Sequence, residues 1–212
     1  MTPMQDFYHQ QATTIIKHLK QRNMDGYYCD NKADAVKLAL SFITPGETVS
    51  FGGSMSLSDS GLLEKLKTKK NIELLDRSTA QTPDEVRSIY LKALASDTYL
   101  MSSNAITLDG HLVNIDGNGN RVAALIYGPK QVILLVGMNK VTPTLEGAQS
   151  RVQNMASPPN CVRLSRNTPC AKTGQCHDCQ SEDCICSNIV ITRRSHTKGR
   201  IKVILVGEVL GY

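Results

Sequence analysis

The sequence predicts an α/β fold in which a mostly parallel sheet carries helices on both faces, so that three layers form, with an antiparallel hairpin excursion and a Cys-rich C-terminal segment. Two observations favour this class. Up to residue 101, helical patterns alternate with short apolar strands, which is typical of parallel sheets with helical crossovers. Beyond residue 104, short apolar stretches are joined by Asp-Gly and Asn-Gly pairs, which favour tight antiparallel turns.

The first half of the chain supplies the alternation. Thr2 and Pro3 begin a helix whose apolar stripe continues to Leu19. Thr82 and Glu85 can form a capping box at the start of a later helix, because each side chain can bond the backbone N–H of the other. Two further helices are predicted, from Asn31 to Pro45 and from residue 54 to about residue 70, and the strands are predicted at residues 27–29, 48–51, 72–75 and 98–101.

The second half departs from this alternation. Short strands are predicted at residues 105–107, 112–115 and 121–126, and we interpret them as a hairpin excursion from the sheet edge. A buried strand at 131–136, a helix from Thr142 that is ended by Pro158 and Pro159, and late strands at 189–192 and 201–206 around a basic turn complete the prediction. We expect residues 1–160 to form the core with its N-terminal helix, and residues 161–212 to complete the same domain.

Composition excludes several classes of protein. Hydrophobic residues make up 41% of the 212 residues, as in globular chains. No apolar run approaches the ~20 residues of a membrane span. The first ten residues lack the basic and apolar regions of a secretory signal, so we expect a cytoplasmic protein. Aromatic residues are only 5% and Trp is absent, so no nucleic-acid partner is expected.

A glycine–serine turn follows the predicted strand at residues 48–51. Gly52, Gly53 and Ser54 are small, so the backbone can approach a ligand, and N–H groups at the start of a following helix attract anions. The turn indicates a phosphate or carboxylate site, although an ordinary strand-to-helix turn uses the same residues. No Walker lysine follows and the GxGxxG pattern is incomplete, which argues against P-loop and Rossmann sites.

Polar side chains crowd the stretch after residue 103. The preference of Asn and Asp for turns explains several of them, but it does not explain Asn114, Asp116 or Arg121. Two turns would bring such groups to one end of the sheet, where open α/β folds bind ligands. Lys140, after a buried strand, could neutralise an anion. The candidate ligand-binding residues are Gly52, Gly53, Ser54, Asn104, Asp109, Asn114, Asp116, Arg121, Asn139 and Lys140.

Five of the seven cysteines form the pattern C-x5-C-x2-C-x4-C-x-C between residues 170 and 186. A C-x2-C pair can reach one metal ion, and a chain without a secretory signal keeps its thiols reduced. The spacing is close to the plant-type iron–sulfur pattern without matching it, so iron–sulfur and zinc both stay open. Cys29 and Cys161 are expected to be ordinary buried residues. The predicted ligands are Cys170, Cys176, Cys179 and Cys186, with Cys184 as the alternate.

The excess of positive charge lies in the same part of the chain. Residues 163–202 contain eight basic and three acidic side chains, which equals the +5 of the whole chain. Four thiolates around Zn²⁺ or around a 2+ iron–sulfur cluster carry a net −2. The basic side chains would offset that charge, which supports a metal or cluster in this segment.

The sequence resembles the LUD (lactate utilization) domain family. The resemblance rests on FGGS at residues 51–54, SNAITLDG at 103–110, LVNIDGNGNRVA at 112–123 and the stretch 128–140. The block 104–140 is specific, whereas the glycine–serine turn alone is not. Residues 169–188 resemble the cysteine-bearing branch of the family, which supports the choice of four ligands.

This resemblance implies a fold similar to ribose-5-phosphate isomerase, glucosamine-6-phosphate deaminase and CoA transferases, with a pocket near residues 52–54, Asn104, Asp116 and Lys140. Residues 102–104 read Ser-Ser-Asn, without the glutamate nucleophile of a CoA transferase. The resemblance also implies an accessory or redox protein of lactate utilization that binds a small anionic ligand and an iron–sulfur cluster or zinc, with iron–sulfur or oxidoreductase partner subunits. The alternatives are a stand-alone enzyme acting on a sugar phosphate or acyl-CoA, with Asp116 or Asp109 as the base, and a structural partner without chemistry.

Overall fold

The structure, a computed structural model, describes residues 2–212. The helices are α1 (Pro3–Gln21), α2 (Lys32–Ser41), α3 (Met55–Asp59), α4 (Leu62–Thr68), α5 (Pro83–Leu94), α6 (Asn120–Ile126), α7 (Leu145–Arg151), α8 (Ser157–Arg163) and α9 (Pro169–Thr173). The strands are β1 (Asp25–Cys29), β2 (Thr48–Phe51), β3 (Glu73–Leu75), β4 (Thr98–Met101), β5 (Ala105–Thr107), β6 (Leu112–Asp116), β7 (Gln131–Gly137), β8 (Val141–Thr142), β9 (Asn188–Thr192) and β10 (Ile201–Val206).

The strands form two sheets. The large sheet has six strands in the order β1-β10-β7-β4-β2-β3, and every neighbouring pair in it is parallel. The small sheet has the order β8-β5-β6-β9, in which β5 and β9 both run antiparallel to β6. The predicted α/β class with a mostly parallel sheet is therefore confirmed, and the predicted hairpin excursion is the β5–β6 pair of the small sheet.

Both faces of the large sheet are covered by helices. Alternate residues of β7 point to opposite faces, so Val132 and Leu134 pack with α1, α5 and α6 while Ile133 and Leu135 pack with α2, α3 and α4. The two capping boxes that begin α1 and α5 form as predicted, at Thr2 and at Thr82. These two apolar layers give the three-layer arrangement and fix the carboxyl ends of the central strands on one side of the molecule.

The predicted strand at residues 121–126 is wrong, because this segment is helix α6. Gly119, at φ +80°, begins the helix in the left-handed conformation that glycine tolerates. Val122 and Leu125, three residues apart, are both buried on one side of the helix. The apolar content suggested a strand, but the spacing of the buried side chains is helical.

Two predicted helices differ in their bounds. The helix predicted from residue 54 to about residue 70 is split into α3 and α4 at Gly61, whose φ is +76°. The helix predicted to end at Pro158 continues through a π-helical turn, Val152–Ala156, into α8. Pro158 lies in the first turn of α8, where its missing N–H costs little because no intrahelical partner is needed there.

The basic turn at residues 193–200 connects the two sheets. β9 forms the edge of the small sheet beside β6, whereas β10 lies inside the large sheet between β1 and β7. Among residues 2–212, the helices are all too short or too polar to cross a bilayer.

Candidate functional site

A polar cavity of about 590 Å³ lies at the carboxyl ends of β2, β3, β4 and β7, facing β6 of the small sheet. This is the side of a parallel sheet on which open α/β folds bind ligands. Six of the predicted ligand residues line it, namely Gly53, Ser54, Asn104, Asp116, Arg121 and Lys140.

The glycine–serine turn lets two arginine side chains approach the backbone. A Cβ on Gly53 would collide with the guanidinium of Arg77, and a Cβ on Gly52 would lie 3.0 Å from Cδ of Arg121. Gly52 is therefore required by the packing of a protein side chain, while Gly53 lines the cavity directly. The following helix, α3, has only five residues.

Arg77 is a cation of the cavity that the sequence analysis did not identify. It follows β3, and its Nη1 donates a hydrogen bond of 2.7 Å to the hydroxyl of Tyr90. Within residues 2–212, no carboxylate lies within 4 Å of its guanidinium nitrogens. Its position two residues after the predicted strand at 72–75 is the sequence signal that indicates it.

Arg121 organises the polar residues that the sequence predicted to lie together. Its guanidinium has five N–H donors, and all five are used within the protein. The acceptors are Asp116 Oδ2 at 3.1 Å, the Ser102 carbonyl at 3.1 Å, Asn114 Oδ1 at 2.7 Å, Asn104 Oδ1 at 2.9 Å and the Ile115 carbonyl at 2.8 Å. Arg121 therefore holds the wall of the cavity and has no donor left for a ligand.

The electrostatics around Arg121 agree with a structural role. Burial lowers the pKa of Arg121, and the nearby Asp116 carboxylate opposes this change. Asp116 also accepts a hydrogen bond from the backbone N–H of Gly119, which begins α6. Asn114 lies behind the cavity wall, fully buried, and its Nδ2 has no partner in the described part of the chain.

Lys140 lies at the inner end of the cavity and is only 3% exposed. Its Nζ donates to Ser56 Oγ at 2.7 Å and to Ser102 Oγ at 3.2 Å. Within residues 2–212, no carboxylate is in ion-pair range of it. Burial, reinforced by Arg151 and Arg121 and opposed by Asp59, lowers the pKa of Lys140 to about 7.

The structure places two predicted ligand residues away from the cavity. Asp109 is paired with Arg22 at the end of α1, at 2.9 Å, and it also contacts His111. Asn139 bonds the backbone of residues 210 and 211 and so holds the C-terminal segment. Their assignment as ligand residues stays a prediction, and no contact in the cavity supports it.

The clustered cysteines line a second cavity, of about 400 Å³. Cys161, which the sequence analysis set aside as an ordinary buried residue, lines the same cavity. Thiols are the donors that zinc and iron–sulfur clusters use, so the residues present suit such a group by chemistry and by location. Within residues 2–212, no three Cys, His, Asp or Glu side chains are yet arranged around a common metal position. The six cysteines of the lining are Cys161, Cys170, Cys176, Cys179, Cys184 and Cys186.

The thiols of this second cavity differ in their environment. Burial raises the pKa of Cys186 to about 12 and that of Cys161 to about 11, so both are protonated as free thiols. Hydrogen bonds from Ser181 lower the pKa of Cys179. The Cys179 thiolate therefore forms more readily than the thiolates of Cys161 and Cys186.

The two cavities share a wall. Cys184, Ser157 and Ile185 line both the polar cavity and the cysteine cavity. A group bound to Cys184 would therefore be a direct neighbour of a ligand in the polar cavity.

The sequence model of the LUD domain matches residues 12–206. The chain belongs to the LUD domain family. The match spans both sheets and both cavities, and it confirms the family that the sequence blocks indicated. The family is associated with lactate utilization.

A solved structure shares this fold over nearly the whole chain. A DUF162 family protein from Deinococcus radiodurans superposes with a TM-score of 0.51 at 13% identity, over 95% of this chain and 98% of the other. Ribose 5-phosphate isomerase A from Neisseria gonorrhoeae matches with a TM-score of 0.35 at 15% identity, over 54% of each chain. No curated protein matches the sequence.

Proposed function

We propose that this LUD-domain protein is an accessory or redox component of lactate or related organic-acid utilization. It binds a small anionic ligand in the polar cavity and a metal or iron–sulfur centre through its C-terminal cysteines. The observation that carries the proposal is the wall shared by the two cavities, in which Cys184 borders both. A redox centre and an oxidisable ligand placed side by side are what electron transfer between them requires.

Five basic and three acidic side chains line the polar cavity, a balance that favours an anion; they are Arg77, Arg121, Lys140, Arg163 and Arg166, and Asp116, Glu182 and Asp183. Arg77 has no carboxylate partner in residues 2–212. Ser54 adds a hydroxyl beside it. Asp116 does not oppose an anion fully, because Arg121 pairs with it at 3.1 Å. An arginine suits a carboxylate or phosphate because its N–H groups form paired hydrogen bonds with two oxygens.

The cysteine cavity supplies the second half of the proposal. All four cysteines of the predicted ligand set line this cavity, namely Cys170, Cys176, Cys179 and Cys186. A bound iron–sulfur cluster would supply one-electron chemistry, whereas zinc would only stabilise the segment. With a cluster, the protein exchanges electrons with oxidoreductase or iron–sulfur partner subunits.

Replacing Arg77 by Gln is expected to weaken binding of a carboxylate or phosphate by at least about tenfold, because it removes a cation of the cavity that has no carboxylate partner. The measurement is titration calorimetry of the full chain with lactate, pyruvate and inorganic phosphate. Arg87→Gln is the matched control, since Arg87 lies on α5 outside the lining of the polar cavity. Failure of all three anions to bind the unmodified protein, or equal binding by Arg77→Gln, would contradict the anion site.

Protein purified without oxygen is expected to contain iron and acid-labile sulfide, and to show broad visible absorption that bleaches on reduction. Replacing Cys176 and Cys179 together by Ser should release the metal, because two of its thiolate ligands are lost. Cys29→Ser is the control, as Cys29 lies on β1 outside the cysteine cavity. Stoichiometric zinc in a colourless sample would contradict a role in electron transfer. Full metal content in the double variant would show that Cys176 and Cys179 are not the ligands.

A further inference from the structure

The hydrogen bonds around Lys140 match a neutral amine. Ser56 donates its own proton to the Leu210 carbonyl at 3.2 Å, and Ser102 donates to the Ser103 carbonyl at 3.2 Å. Both hydroxyl oxygens are therefore free to accept from Nζ, at 2.7 and 3.2 Å. A neutral amine has two N–H groups and one lone pair. The two hydroxyls use both N–H groups, and the lone pair is left over.

The charged groups that face Lys140 also disfavour an ammonium ion. Arg151 and Arg121 contribute positive charge from α7 and α6, and Asp59 on α3 is the acidic group that acts in the opposite direction. Lys140 is almost fully buried and its neighbours in hydrogen-bond range are neutral hydroxyls. A buried lysine of this kind can be held neutral at ordinary pH and then acts as a nucleophile.

The polar cavity brings this amine together with an anion site. Lys140, Ser102 and Arg77 line the same cavity of about 590 Å³. We infer that Lys140 is a nucleophilic amine, and that the cavity takes a small anion bearing a ketone or aldehyde group, which Lys140 binds covalently as an imine. This inference rests on the anion site of the proposed function and adds the chemical class of the ligand and the residue that bonds it.

The step balances without a further reactant. The Nζ lone pair attacks the carbonyl carbon while the C=O electron pair moves to the oxygen. The two amine protons leave with that oxygen as water, and a C=N bond joins the ligand to Lys140. No electron is gained or lost, and addition of water restores the free amine and the carbonyl compound.

The experiment traps this imine. The full chain is incubated with pyruvate, or in a second arm with dihydroxyacetone phosphate, and then treated with sodium cyanoborohydride, which reduces the C=N bond to a stable secondary amine. Peptide mass mapping is expected to locate one adduct, on Lys140. Lys130, an exposed lysine paired with Asp97 at 2.6 Å, serves as the internal control in the same map.

The variants separate specific from random labelling. Lys140→Arg should abolish the adduct and Lys130→Arg should leave it unchanged, with circular dichroism confirming that both fold. Acetylation of the unmodified protein followed from pH 6 to 10 needs no variant, and the rate at Lys140 should rise with a midpoint near pH 7, whereas the rate at Lys130, whose pKa Asp97 raises, should still be rising at pH 10. No adduct with either carbonyl compound, an adduct spread over surface lysines, or the same pH dependence of acetylation at Lys140 and Lys130 would overturn the inference.

The outcomes also distinguish this inference from the proposed function. If lactate and phosphate bind in an Arg77-dependent manner but no imine is trapped, only the covalent step is overturned. If an imine forms on Lys140 while the protein holds neither iron nor zinc, the covalent step stands and the redox proposal fails.

Discussion

Replacing Arg121 by Leu is expected to lower the free energy of unfolding by about 3–5 kcal/mol, the usual cost of breaking a buried ion pair by removing one partner. The substitution leaves the Asp116 carboxylate, 9% exposed, without its cationic partner. It also removes the donors that bond the side-chain oxygens of Asn104 and Asn114. Urea unfolding followed by circular dichroism measures the change.

Two comparisons make this result specific. Arg121→Lys keeps the charge but supplies at most three donors in place of five, so its stability should lie between that of the unmodified protein and Arg121→Leu. Arg87→Leu, on the exposed side of α5, should change the stability by no more than about 0.5 kcal/mol. If the free energy of unfolding of Arg121→Leu fell by less than about 1 kcal/mol, the hydrogen bonds and the ion pair of Arg121 would not stabilise the fold appreciably.

Replacing Lys140 by Met is expected to flatten the dependence of stability on pH between about 7 and 10.5. The pKa of Lys140 is about 7 in the folded protein, against 10.5 for an ordinary lysine. Between these values the unfolded chain binds a proton that the folded chain does not, so the stability of the unmodified protein rises with pH. The slope from this one group is at most about 1.4 kcal/mol per pH unit, so the change across the whole window is at most about 5 kcal/mol.

Below pH 7 the folded protein carries the buried charge of Lys140, so the full energetic cost of that charge lowers the stability. Above pH 10.5 Lys140 is neutral in both the folded and the unfolded chain, and this cost is absent. The measurement is the difference in unfolding free energy between the unmodified protein and Lys140→Met at several pH values, since the other titrating groups cancel in that difference. Lys130→Met is the control. Asp97 raises the pKa of Lys130, so this lysine is protonated in both the folded and the unfolded chain between pH 7 and 10.5, and its replacement should leave the slope of stability against pH unchanged there. Parallel pH profiles for the unmodified protein and Lys140→Met would contradict the lowered pKa.

The sequence predicted most strands of the large sheet and their parallel direction, because local signals and periodicity indicate them, but it did not give the strand order. Strands 48–51 and 98–101 have the predicted bounds, and Thr2 and Thr82 cap their helices as predicted. Segment 121–126 was misassigned because an apolar run of that length does not distinguish a strand from a short buried helix. Its helical state depends on Gly119, which begins the helix, and on the packing of Ala124 and Leu125 in the core, which is a tertiary effect.

The candidate site could be predicted only in part, because its geometry depends on long-range pairing. Asn104, Asp116 and Arg121 were expected to lie together, but the sequence did not indicate that they satisfy one another. The sequence did not indicate Arg77 or Cys161 as site residues. Arg77 lies outside the glycine–serine turn at residues 52–54, and Cys161 lies outside the cysteine pattern at residues 170–186. Cys161 joins the cysteine cavity only because α8 and α9 fold against each other.

The position of β10 has a consequence for how the chain folds during synthesis. Residues 201–206 pair with β1 on one side and β7 on the other. Until the ribosome has released them, β1 has no partner in the large sheet and β7 presents an open edge. Unpaired edges of this kind invite pairing with other chains. The nascent protein therefore stays vulnerable to aggregation until residues 201–206 have emerged.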